Sequence, residues 1–206
     1  LALSKDRPQD AIIELRRSIE LDPKNPAAHR SLGMLLRRTG DLQGSSSEFQ
    51  RAKELSLESE KHSEAVVHIK TAIQHLKRND VSHSIDELRL ALTAEPDSPD
   101  ANHLLGVALS QIGKWSEAKR AFAGALQKRP SDPEIHFNFG VFLGRQADWQ
   151  GAAREFRYTL ALRPAHSQAH CLLASALARL GDAEGSLREL KLARELGQCE
   201  PASARE

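Results

Sequence analysis

Nine histidines and two cysteines are the side chains in this 206-residue chain best suited to metal or nucleophilic chemistry. His166 and His170 stand four apart, a spacing that puts two imidazoles on one face of a helix and can hold zinc. A structural zinc site needs four ligands, and no carboxylate or cysteine completes this set. His166 also precedes the expected start of its helix, so no metal is expected. Cys171 has no basic partner placed by spacing and reads as a small apolar residue. A bridge from Cys171 to Cys199 remains open, though their spacing does not argue for one. The chain has no phosphate-cradling glycine loop, His-Glu-x-x-His, paired-cysteine zinc signature or strand–turn nucleophile motif. Catalysis has no residue to stand on, and no cofactor is expected.

Four of the histidines, His29, His68, His136 and His170, recur at one position of a regular pattern, which points to packing. Trp115 and Trp149 stand 34 apart and are expected to plug the ends of helical hairpins. The same period defines the elements that position these residues. Adding 34 to Gly106, Gly113, Trp115, Ala118, Phe122 and Pro130 gives Gly140, Ala147, Trp149, Ala152, Phe156 and Pro164. A further step gives Ala174, Gly181, Ala183, Ser186, Leu190 and Gln198. The register predicts a partial repeat over 1–25 and full repeats over 26–59, 65–98, 99–132, 133–166 and 167–200. An insertion at 60–64 interrupts it, and a tail runs over 201–206.

Inside each unit the pattern is helix, turn, helix. Pro133 suits a first helical position, Asp148 can cap the second helix, and Pro164 ends it. The expected fold is all-α: an alpha-alpha superhelix, or solenoid, of antiparallel helix-turn-helix hairpins. About eleven helices are expected, with turns near residues 40, 80, 113, 147 and 181. Leu57 stands where a terminal proline belongs, so 55–65 should be either a fused helix or a bend. Residues 1–5 are expected to be a helix remnant, and 198–206 to be poorly ordered.

Leu105-Gly106, Phe139-Gly140, and the Ala118, Phe122, Ala125, Pro130 series resemble the tetratricopeptide repeat family over nearly the whole chain. The resemblance implies a non-catalytic scaffold that binds a protein or peptide in a groove lined by the first helices. The fifth and ninth repeat positions would face that groove: Arg30 and Met34, Ile69 and Ile73, His103 and Val107, Phe137 and Val141, Cys171 and Ser175. This mostly apolar strip reads either as packing between neighbouring first helices or as a trough for an apolar or amphipathic segment. Phe137 would be its largest anchor. The thirteenth positions, Arg38, Lys77, Gln111, Arg145 and Arg179, are basic in four of five cases. Either they suit the helix macrodipole, or Arg145 and Arg179 flank the groove and favour acidic segments. Some relatives clamp a C-terminal carboxylate with Lys and Asn residues; here Asn138 alone stands at one such position.

The bulk numbers fit this reading. The chain is 40% hydrophobic, 28% charged and only 4% aromatic, which favours helices packed through small residues. A net charge of +1 does not call for nucleic acid or an anionic membrane. Arg120, Arg154 and Arg188 recur on the second helices among acidic residues, as a solvated mixed-charge face would. No apolar run is long enough to span a membrane. No signal peptide is visible, and a cytoplasmic or exported location both remain open. Two other roles stay in view: a docking domain of a larger enzyme or exported assembly, and self-association through exposed repeat ends.

Overall fold

The computed structural model describes residues 7–197. Among them are ten α-helices and no strand: α1 (Pro8–Leu21), α2 (Pro26–Arg38), α3 (Leu42–Lys77), α4 (Val81–Ala94), α5 (Pro99–Gln111), α6 (Trp115–Lys128), α7 (Pro133–Arg145), α8 (Trp149–Leu162), α9 (Ser167–Arg179) and α10 (Ala183–Glu195). The fold is an all-α repeat array. The expectations for residues 1–5 and 198–206 fall outside the described residues. No described helix is long and apolar enough to cross a membrane.

The helix starts are written in side chains. Pro26, Pro99 and Pro133 occupy first-turn positions, where a missing N–H costs nothing. Asn25 caps α2 by accepting from the Ala27 and Ala28 N–H groups at 3.0 and 3.2 Å. Asp148 and Asp182 cap α8 and α10 in the same way, at 2.9 and 2.8 Å from the Gly151 and Gly185 nitrogens. Each hairpin reverses through a residue in the left-handed region: Gly40, Asn79, Gly113, Ala147 and Gly181. These are the five turns expected from the sequence.

The helix count departs from the expected eleven because α3 runs unbroken for 36 residues. It joins the second helix of repeat 26–59 to the first helix of repeat 65–98 through the insertion. The physical reason is the absence of a stop: Leu57 replaces the terminal proline, and neither Gly nor Pro occurs between Ser45 and Lys77. Residues 57–64 are all exposed, and the Ser63 hydroxyl donates to the Ser59 carbonyl at 2.9 Å.

The chain divides into two compact units at Glu64/Ala65. In the first, Ile12 of α1 packs with Leu32, Leu35 and Leu36 of α2, flanked by Ala11, Leu15 and Ile19. In the second, α5/α6, α7/α8 and α9/α10 form antiparallel pairs, each stacked on the next. No hairpin can bury its apolar face alone, so stability here accumulates between neighbours. Phe122 is fully buried, with the rings of Phe139 and Phe142 at 5.4 and 5.5 Å. It lies against Gly106, where a Cβ would come within 2.9 Å of its ring; at Gly140 a Cβ would come within 2.7 Å of Phe156. Both glycines are there for close approach of the helix to a ring. The tryptophans are less buried than expected. Trp149 is half-buried, while Trp115 is 40% exposed and meets Phe142 at 6.2 Å. It covers the hairpin end without being sealed in by it.

Candidate binding groove

In the second unit the first helices α5, α7 and α9 touch in sequence, which sets their fifth and ninth positions side by side. Val107 and Val141 are half-buried there, each with one side against the core, as is Ile69 of α3. Ile73 is also half-buried. The strip is therefore both things at once: its side chains contribute to packing and still keep part of their surface open.

Phe137 does not play the part expected of it. It is only 9% exposed, with the His166 ring stacked on it at 4.7 Å and Phe156 at 6.0 Å. His166 belongs to the loop before α9, at the end of the same repeat, so that loop covers the ring and removes it as a groove anchor. The place beside it is polar. His103 is half-buried, and its Nε2 accepts a hydrogen bond from the Asn138 amide at 2.8 Å. Burial holds the His103 imidazole below its ordinary pKa, against the opposing pull of Asp132, Asp100 and Glu134. The strip thus carries a histidine held toward its neutral form and an amide, about one helical turn before its valines.

Of the remaining predicted residues, Arg145 and Arg179 are exposed, with the Arg179 guanidinium 5.6 Å over the Trp149 ring. Ser175 is exposed, and its hydroxyl donates to the Cys171 carbonyl at 3.1 Å. Cys171 is half-buried and disulfide-bonded, which corrects its reading as a plain apolar residue. Arg30 and Met34 are exposed on α2 in the first unit.

The recurring histidines pack, but they also make bonds that packing alone did not lead one to expect. His136 Nδ1 lies 2.8 Å from Glu155 Oε2, and its Nε2 lies 2.9 Å from the Pro130 carbonyl oxygen. The same ring bridges His170 to Glu189 and Pro164, and His29 to Glu48 and Pro23. His68 pairs with Glu87 at 2.7 Å. Each imidazole clips the first helix of its repeat to the second. The signal was present as a glutamate 19 residues after each histidine. In the one full repeat without the histidine, Asn102 and Ala121 fill both positions, and the Asn102 amide donates to the Ser98 carbonyl instead. These commitments leave His170 no free nitrogen for a metal. His166 Nδ1 caps α9, accepting from the Ala169 N–H at 3.3 Å.

Comparison with known proteins gives the same architecture. No curated protein sequence matches the chain significantly. Solved structures do match in fold. The TPR protein YrrB, described as having an unusual peptide-binding site, is 19% identical over 89% of this chain and 92% of its own, with a TM-score of 0.58. One MamA structure is 16% identical over 83% and 91%, at a TM-score of 0.60. Another is 18% identical over 80% and 94%, at 0.62. At these identities the likeness is one of fold. One tetratricopeptide repeat model matches residues 56–136, and a second matches 1–56 and 143–198. Together they take in most of the sequence, and the chain belongs to the tetratricopeptide repeat family.

Proposed function

We propose that the second unit binds a polypeptide segment along the face shared by α5, α7 and α9 and extended by Ile69 and Ile73 of α3. Membership of a family of protein-interaction scaffolds supports a non-catalytic binding role. The observation that carries the finer reading is the strip of half-buried Ile69, Ile73, Val107 and Val141. Side chains part-way out of water gain about 25 cal/mol per Å² when a partner removes the remaining apolar surface. The Asn138–His103 pair offers a polar point of registration beside that strip. The exposed Arg145 and Arg179 at the helix ends favour a segment with acidic flanks, since complementary charge chiefly raises association rate and selectivity. The segment is apolar or amphipathic, and the surface would serve equally in a free scaffold or in a docking domain.

The test is selection from a displayed random-peptide library against the intact chain. Enriched peptides should be amphipathic and acidic-flanked. They should bind the Val107→Ser/Val141→Ser variant roughly tenfold more weakly or worse, given about 0.8 kcal/mol per buried CH₂. An Arg120→Ala control on the second-helix face should bind as the parent does. Full binding by a folded valine variant would sink the assignment.

A second reading, self-association, is favoured by the last described hairpin. α10 exposes Leu187 at 68% and Leu192 at 43%, and its C-cap residue Leu196 is 41% exposed. Light scattering over a concentration series tests it, with Leu187→Lys expected to abolish any growth in mass.

A further inference from the structure

The turn between α3 and α4 departs from the repeat pattern at two positions, and the two departures meet. In repeat 65–98 the eleventh residue, in the last turn of the first helix, is His75. In every other full repeat that place belongs to a buried leucine: Leu36, Leu109, Leu143 or Leu177. The third residue of the second helix is His83. At that place Gly44, Gly151 and Gly185 stand beside the cap aspartates Asp41, Asp148 and Asp182, because a Cβ there would collide with the cap carboxylate. Only here does a cap aspartate, Asp80, meet a full side chain at that position.

The result is two imidazoles on one carboxylate. His75 Nδ1 lies 2.9 Å from Asp80 Oδ2, and His83 Nδ1 lies 2.8 Å from both carboxylate oxygens. The two rings stack with centroids 5.4 Å apart. One donor atom from each of the three residues falls within a 4.8 Å set. The backbone holds them there. Asn79 takes a left-handed φ of 60°, and the Asp80 N–H donates to the His75 carbonyl at 2.9 Å. Asp80 also accepts from the His83 N–H at 3.4 Å, fixing the start of α4.

We infer that His75, Asp80 and His83 form a binding site for a divalent transition-metal ion of the zinc, nickel and copper group, with water completing the coordination. Two imidazole nitrogens and one carboxylate suit these borderline ions and not magnesium or calcium, which take oxygen ligands. Ligands at about 2.0–2.2 Å from a tetrahedral zinc lie about 3.3 Å from one another. Each Nδ1 now stands 2.8–2.9 Å from the carboxylate, so it needs to withdraw by only about half an ångström, while the donor atoms of the two rings already lie within 4.8 Å of each other. Replacing a buried leucine with a half-buried histidine costs the repeat apolar packing, and metal binding gives that exchange a return that a surface hydrogen bond does not. Bound metal would tie the last turn of α3 to the first turn of α4.

The site is testable with the full chain, stripped by chelator and titrated calorimetrically with ZnCl₂, NiCl₂, CuCl₂ and, as a negative control, MgCl₂. One equivalent of a transition ion should bind in the micromolar range or tighter, and magnesium should not. X-ray absorption at the metal edge should show two imidazoles. Asp80→Asn keeps a cap acceptor yet should weaken binding about tenfold or more, the scale on which metal sites respond to altered ligation shells. His83→Gly and His75→Leu restore residues the other repeats already use, so these variants should stay folded and lose the site. His166→Gln, at the α9 cap, should bind as the parent does. No saturable binding by the parent overturns the proposal. So does binding that survives the His75→Leu/His83→Gly double change, or binding that is lost with His166→Gln instead.

Discussion

His136 Nδ1 sits 2.8 Å from Glu155 Oε2, with both side chains less than a tenth exposed, and this pair is the best-buried copy of a clip found in four repeats. Removing one partner strands the other away from water. Glu155→Ala should therefore destabilise the chain by roughly 1–3 kcal/mol, the cost of a buried polar group left unsatisfied. The repeat over 99–132 shows the alternative the fold accepts, Asn102 with Ala121. His136→Asn combined with Glu155→Ala should recover most of the loss. Urea denaturation of the parent, both single variants and the double variant measures this. A double variant as unstable as the sum of the singles would refute the clip.

A second pairing couples a small residue on the first helix to a large one sixteen positions on. Gly33, Gly106 and Gly140 go with Phe49, Phe122 and Phe156, while Ala72 and Ala174 go with Leu88 and Leu190. A Cβ would meet the phenylalanine ring at 3.2 Å from Gly33, 2.9 Å from Gly106 and 2.7 Å from Gly140. Alanine also gains about 0.5–1 kcal/mol over glycine inside a helix. Gly33→Ala should come out near neutral, and Gly140→Ala should lose roughly 1–3 kcal/mol from overpacking. Adding Phe156→Leu, the pairing used by the last repeat, should relieve the overpacking. Thermal melts rank the three glycines, and equal losses at Gly33 and Gly140 would show that ring proximity does not set the cost.

The turn at Ala147 carries its own prediction. Its φ is 58°, in the region where Gly40, Gly113 and Gly181 serve the equivalent turns. A Cβ in that conformation costs roughly 1–2 kcal/mol. Ala147→Gly should raise stability by about 1 kcal/mol, somewhat offset by the freedom glycine adds to the unfolded chain. A lower melting temperature would contradict it.

Local signals carried most of the fold. Caps, prolines and turn residues act within a few positions of themselves, so the five hairpin turns and the helix starts could be read directly. The long α3 was legible as one of two options, since a missing proline removes a stop without choosing between a continuous helix and a bend. The candidate site was less legible because it depends on neighbours remote in sequence. Phe137 holds a groove position in its own repeat, yet His166 of the following loop covers it. The histidine clips had a visible sign in the glutamates 19 residues on, and packing alone was too simple an account of them. His75 and His83 stand out only as exceptions to the period, and a repeat register is built from the positions that agree.

The last prediction concerns acid. Burial lowers the pKa of His103 from the ordinary 6.5, so the folded chain resists a proton that the unfolded chain accepts. Above about pH 6.5 both states hold a neutral imidazole, and the contribution of His103 to stability is fully present. As pH falls below that value the unfolded chain binds the proton first. Stability then declines until the lower folded-state pKa has been passed. A His103→Gln variant cannot titrate and can still accept from the Asn138 amide, so it serves as the reference. The difference in unfolding free energy between parent and variant should be flat above pH 6.5 and should move against the parent below it. The same residue lies on the proposed binding face, where a bound apolar segment would remove more water from the ring and press its pKa lower still. Peptide affinity should therefore weaken on acidification in the parent and much less in the variant. Parallel pH profiles for the two proteins would separate His103 from the groove.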